Sequence, residues 1–99
     1  MKEATDWLER HYSERVSIDR LVAFMGYGRS RFFTLFKEYT GLSPTEWLTR
    51  FRIKRAMEML EQGSKVSATA RLCGFSDPSF FARVFRKRTG RSPSEKVGP

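Results

Sequence analysis

Two short runs of this sequence place hydroxyl and cationic side chains at the same spacing. Ser30, Thr34 and Lys37 in one, and Ser79, Arg83 and Arg86 in the other, stand at i, i+4 and i+7, so on a helix each set shares one face. Hydroxyl, guanidinium and ammonium groups aligned in this way suit phosphate oxygens and base edges, and a guanidinium fork matches guanine O6 and N7. Other chemistries are poorly supplied. The single Cys73 excludes an internal disulfide, and the single His11 leaves no His/Cys metal cluster within one chain. There is no carboxylate pair among apolar residues, no nucleophile with a nearby His, and no phosphate-binding glycine loop. Catalysis, metal and cofactor are therefore not expected, and Cys73 reads as a buried apolar side chain.

The charge distribution points to the same anionic partners. Residues 1–49 carry seven Lys/Arg and seven acids, whereas residues 50–99 carry twelve Lys/Arg and four acids, so the second half holds the whole net charge of +8. Such an asymmetry suits nucleic acid first and a membrane surface second. The opening Met1-Lys2-Glu3-Ala4-Thr5-Asp6 is too polar for a signal peptide, and no apolar run approaches the roughly 20 residues of a membrane span. A reducing, cytoplasmic setting is the expectation. At 39% hydrophobic and 14% aromatic residues, the chain has enough apolar material for one folded domain over 1–99.

The elements that would present the polar faces come in two copies. Ser30-Arg31-Phe32-Phe33-Thr34-Leu35-Phe36-Lys37, followed by Thr40-Gly41-Leu42-Ser43-Pro44, returns 49 residues later as Ser79-Phe80-Phe81-Ala82-Arg83-Val84-Phe85-Arg86 and Thr89-Gly90-Arg91-Ser92-Pro93. Gly26-Tyr27 matches Gly74-Phe75 at an offset of 48, so the second turn is one residue longer. Each copy reads as a short helix, a turn and a second helix. Ile18 to Met25 has Ser17 as its cap and Gly26 as its stop, and Val66 to Cys73 has Ser64 and Gly74. The second helices begin after Gly28 and at Asp77-Pro78, end at Gly41 and Gly90, and are followed by new starts at Ser43-Pro44 and Ser92-Pro93. A further helix from about Ala4 to Ser13 opens the chain. Helix, glycine-containing turn and helix is the helix-turn-helix pattern.

Angular position divides each second helix. Phe32, Leu35, Phe36 and Tyr39 form an inward stripe in the first, with Arg31 and Phe33 flanking the outward one. Phe81, Val84 and Phe85, with the stem of Arg88, point inward in the second, and Phe80 and Lys87 flank. Arg86 and Lys87 fit phosphate contact and an ordinary solvated charge about equally. Phe80 fits packing against its neighbouring helix better than contact with a thymine methyl, whereas Phe33 fits base contact and partial packing equally. Ser30 and Thr34 fit weak base reading slightly better than ordinary surface, because they share the outward stripe. Between the copies, about Pro44 to Glu61 reads as one helix with two apolar faces. Trp47, Leu48 and Phe51 lie on one, and Ile53, Ala56, Met57, Met59 and Leu60 lie roughly opposite. Such a helix bridges two lobes, 1–50 and 51–99. Complete burial does not fit Arg50, Arg52, Lys54 and Arg55.

Over roughly Ala4 to Pro93 the chain resembles the DNA-binding domain of the AraC/XylS family of bacterial transcription regulators. The first motif is Ser30-Arg31-Phe32, Leu35-Phe36-Lys37 and Gly41-x-Ser43-Pro44, and the linker pattern is Arg52-x-x-x-Ala56-x-x-Met59-Leu60. The more diagnostic second motif runs from Val66 and Ala70 through Gly74-Phe75-x-Asp77-x-Ser79-x-Phe81-x-Arg83-x-Phe85-Arg86-Lys87 to Gly90-x-Ser92-Pro93. The resemblance implies an all-α fold of seven helices, in two helix-turn-helix lobes joined by a long central helix. It implies recognition helices in successive major-groove segments of a double-stranded DNA operator. Ser30, Phe33, Thr34, Pro78, Ser79, Phe80 and Arg83 then face bases, and Arg29, Arg31, Lys37, Arg86 and Lys87 face phosphates. RNA polymerase is a further candidate partner. The family often carries a sensing or dimerisation domain ahead of this one, and a start so close to the first helix suggests a piece of a longer chain, monomeric in isolation. After Pro93 the usual aromatic-Arg pair is replaced by Lys96-Val97, which suggests a short last helix. The rival function, a basic module for RNA or an anionic surface, fits less well. Most aromatics fall on inward stripes, and Pro44 to Glu61 lacks one continuous apolar face.

Overall fold

Local capping chemistry marks half of the helix ends in the computed structural model, which describes residues 1–95. Ser17 and Ser43 accept hydrogen bonds from the N–H groups of Arg20 (3.3 Å) and Glu46 (3.2 Å), and the Asp77 carboxylate accepts from Ser79 N–H (2.9 Å). Each satisfies a donor that the first helical turn leaves unpaired. Gly26, Gly41 and Gly90 close helices in the left-handed region at φ 76°, 82° and 80°. The resulting helices are α1 Lys2–His11, α2 Ile18–Met25, α3 Arg29–Thr40, α4 Pro44–Glu61, α5 Val66–Leu72 and α6 Pro78–Thr89. The fold is all-helical among the described residues.

Several expectations need correction. Six helices form among the described residues, not seven. Ser92-Pro93 starts only a turn, in which Glu95 N–H reaches the Ser92 carbonyl (3.2 Å) and the Glu95 carboxylate accepts from Ser92 N–H (3.4 Å). That is a helix-start arrangement with no helix behind it before residue 96, and the Lys96-Val97 departure lies outside the described residues. The opening helix runs two residues earlier than Ala4 to Ser13, because the chain turns after His11, where Glu14 N–H donates to its carbonyl. Ser64 does not cap α5. Its N–H donates to the Met59 carbonyl (3.0 Å), so it belongs to the end of α4, and Lys65 is the N-cap. Tyr39 continues the inward stripe of α3 in angle but not in burial, at 58% exposed.

The core forms two clusters. Ala4, Leu8, Leu21, Val22, Phe32, Phe36 and Leu48 make one, with Trp47 packed against it. Ile53, Ala56, Ala70, Cys73, Phe75, Phe81 and Phe85 make the other, with Met57, Met59 and Leu60. α4 contributes to both, Leu48 on one side and Ile53 and Ala56 on the other, and Tyr12 packs against both clusters. The duplication extends to individual hydrogen bonds. Thr40 Oγ1 donates to the Phe36 carbonyl (2.9 Å) and accepts from Leu42 N–H, and Thr89 Oγ1 does the same with Phe85 (2.8 Å) and Arg91. The Thr-Gly-x-Ser-Pro signature is thus a turn that ends one helix and redirects the chain. The molecule measures 45 × 22 × 21 Å.

Candidate nucleic-acid interface

α3 and α6 present the polar stripes because their opposite faces are anchored by phenylalanines. Phe32 and Phe36 are fully buried under α3, with ring centres 5.7 Å apart, and Phe81 and Phe85 repeat this under α6 at the same spacing. Burying a large side chain contributes about 1.5–3 kcal/mol, enough to fix which face of each helix turns outward. Ser30 and Thr34 are exposed on α3, and Pro78, Ser79 and Arg83 on α6. Phe33, Thr34 and Lys37 line one shallow surface groove with Glu38.

Individual surroundings separate these side chains further. Arg83 carries no acidic partner among the described residues, and its guanidinium carbon lies 5.9 Å from the centre of the Phe80 ring. Phe80 is 45% exposed with its ring 6.2 Å from Phe75, so it joins the edge of the second cluster and still offers a face to solvent. Phe33 is half-buried edge-on against Phe32 (5.9 Å) and is covered by Arg29 at 4.7 Å. Arg31, Lys37, Arg86 and Lys87 are exposed and likewise have no acidic partner among the described residues. Arg29 differs: its guanidinium is ion-paired to Asp19 as well as stacked on Phe33, and Arg88 reaches Glu46 of α4 at 3.7 Å. Of the five cations expected to face phosphate, four are therefore uncommitted and one is held.

Arg52 is not the solvent-facing charge that its place among Arg50, Lys54 and Arg55 suggests: the side chain is half-buried between α4, the end of α1 and the turn before α6. Its Nε donates to the Tyr12 carbonyl (2.8 Å) and its Nη2 to the Glu14 carbonyl (2.9 Å). Desolvation by burial lowers its pKa from the ordinary value. No local signal reveals contacts 38 and 40 residues away. Cys73 is buried, as expected, with Sγ 3.7 Å from Met59 Sδ, and burial pushes its pKa upward.

No helix among the described residues is long and apolar enough to cross a membrane. A family profile described as a helix-turn-helix domain matches residues 21–97. Curated relatives include the probable transcriptional regulator LumQ of Photobacterium leiognathi, 32% identical over 90 residues, and the HTH-type transcriptional activator RhaS of Escherichia fergusonii, 33% identical over 90 residues. The alignments cover 90% of this chain but only 36% and 32% of those proteins, so the chain spans about a third of the length of the curated relatives it matches. The DNA-binding domain of AdpA, solved in complex with a target DNA, superposes with a TM-score of 0.89 at 31% identity, over 94% of this chain and 85% of that one. A probable AraC family transcriptional regulator from Rhodopseudomonas palustris CGA009 superposes with a TM-score of 0.84 at 30% identity, over 96% and 91%. On the profile match and these structural likenesses, the chain belongs to the AraC/XylS family of helix-turn-helix transcription regulators.

Proposed function

We propose that this chain is a sequence-specific reader of double-stranded DNA that regulates bacterial transcription, with α2–α3 and α5–α6 as two helix-turn-helix lobes joined by α4. The observation that carries this is the repeated outward face. Two second helices, each pinned by a buried pair of phenylalanines, expose hydroxyl and cationic side chains at the same register. The likeness to AdpA, whose domain was solved on its target DNA, supports the same reading. So does size: major-groove segments on one face of a duplex lie about 34–36 Å apart, and a 45 Å molecule can offer a helix to each.

In this reading Ser30, Phe33, Thr34, Pro78, Ser79, Phe80 and Arg83 face bases, with Arg83 on guanine as the strongest reader. Arg31, Lys37, Arg86 and Lys87 anchor phosphates, and Arg29 joins them only by leaving Asp19. A duplicated unit does within one chain what a symmetric dimer does with two, so one copy binds an asymmetric site of about two helical turns. RNA polymerase and an effector-sensing domain belong to the whole regulator and are proposed at that level only.

The deciding experiment selects bound sequences from a random duplex pool and then titrates the winner against structured RNA and anionic vesicles. A bipartite duplex site, bound one to one by light scattering and at least roughly a thousandfold tighter than random duplex, is expected. Equal affinity for RNA or vesicles, or no enriched sequence, defeats the proposal.

A further inference from the structure

The two units share α4 as core, with Leu48 buried in the first cluster and Ile53 and Ala56 in the second, and Tyr12 packs against both. Apolar packing of this kind holds the units together without direction, and a directional polar contact adds to it. Arg52 projects from the middle of α4, between Leu48 of the first cluster and Ile53 of the second. Its two donated hydrogen bonds end on the Tyr12 and Glu14 carbonyls, just beyond α1, while its guanidinium carbon lies 5.9 Å from the centre of the Phe75 ring in the second cluster. Gly74 completes the contact. At φ 91° a Cβ there would stand 2.5 Å from the Tyr12 carbonyl oxygen and 2.9 Å from Arg52 Nε, so backbone of one unit lies directly against backbone of the other. Arg55 adds to this from the next turn of α4, 5.9 Å from the Tyr12 ring centre. Three residues after Gly74, Asp77 caps α6, so the contact is transmitted to the second reading helix through a very short turn.

We infer that Arg52, clamped between Tyr12, Glu14 and Gly74, fixes the relative orientation of the two helix-turn-helix units and thereby sets the spacing between DNA segments that the protein accepts. The inference rests on the proposed two-unit reading of DNA. Arg52 is a positioning residue, outside the set proposed to touch DNA. Arginine is required because only its planar fork offers two donors in fixed geometry to two carbonyls. Inserting one base pair moves the second segment by about 3.4 Å and turns it by about 34–36°. A clamped pair of units cannot follow such a change, whereas a loosened pair can.

The test uses the selected bipartite site and derivatives with one base pair inserted or removed between its halves. The wild-type chain should lose roughly ten- to a hundredfold in affinity for either change, because one half-site is lost. Arg52→Ala should bind the original site more weakly, yet discriminate among spacings by no more than about threefold, since a looser tether costs affinity and relaxes geometry. Arg52→Lys, with the charge but without the fork, and Gly74→Ala, which forces the backbones apart, should shift in the same direction. If these variants weaken every spacing by the same factor, the inference is overturned. Should they fail to fold, residual dipolar couplings of the free wild-type chain decide. Amides of α2–α3 and of α5–α6 should fit one alignment tensor, and two different tensors would overturn the inference. A wild-type chain that selects no bipartite site instead defeats the two-unit reading on its own, apart from any effect of Arg52.

Discussion

Arg83→Ala is the substitution that tests base reading most directly. In the free chain Arg83 has no ion pair among the described residues and one weak attraction, to the Phe80 ring at 5.9 Å. Exposed contacts of that kind are worth about 0.5–1 kcal/mol, and the guanidinium can keep it while its fork engages a guanine. Little is therefore lost within the protein when DNA binds. A bidentate Arg–guanine pair discriminates by about 1–3 kcal/mol, or roughly 5- to 140-fold in Kd. Arg83→Ala should lose that factor on the selected site and flatten preference at one base pair, while random duplex is affected far less. Arg86→Ala, acting on a phosphate, should weaken all sequences alike and reduce the slope of log affinity against log salt by about 0.9. Fluorescence anisotropy on the selected site, its single-base variants and random duplex, at four salt concentrations, measures both quantities. If Arg83→Ala lowers affinity by the same factor for every sequence, Arg83 is a phosphate anchor and the base-reading assignment fails.

Three further outcomes follow from the packing. Phe36→Ala and Phe85→Ala, at equivalent and fully buried positions in different clusters, should each destabilise by about 3–5 kcal/mol in urea unfolding. Amide shift changes should concentrate before residue 50 for the first and after residue 62 for the second, and identical chain-wide patterns would contradict separate lobes. Asp77→Ala removes the bond to Ser79 N–H and should cost about 0.5–2 kcal/mol, whereas Asp77→Asn or Asp77→Ser should retain most of it. Burial raises the Cys73 pKa in the folded state, so an unfolded chain loses the thiol proton first. The contribution of Cys73 is fully present below about pH 8.5 and declines as pH rises through the folded value. Wild type should accordingly lose more stability than Cys73→Ala between pH 8 and 10, and parallel pH profiles would refute this.

The helix-turn-helix units were legible in the sequence because their signals are short-range. Ser17, Ser43 and Asp77 bond to N–H groups two or three residues on, and Gly26, Gly41 and Gly90 supply a left-handed conformation that other residues adopt at a cost. The outward stripes were legible too, since a helix of known phase assigns its own faces once Phe32, Phe36, Phe81 and Phe85 are recognised as core. Where a local rule had two possible beneficiaries, tertiary contacts decided. Ser64 is placed to cap α5 or to finish α4, and the turn through Gly63 gives it to α4. Arg29 appeared as a free cation until the fold brought Asp19 beside it, and Arg52 appeared as a surface charge until the end of α1 placed two carbonyls within its reach. Capping, helical phase and composition act over a few residues and can be read along the chain. Which cation stays free for an anion, and which is consumed holding two units together, depends on groups far apart in sequence, and only the packed chain decides it.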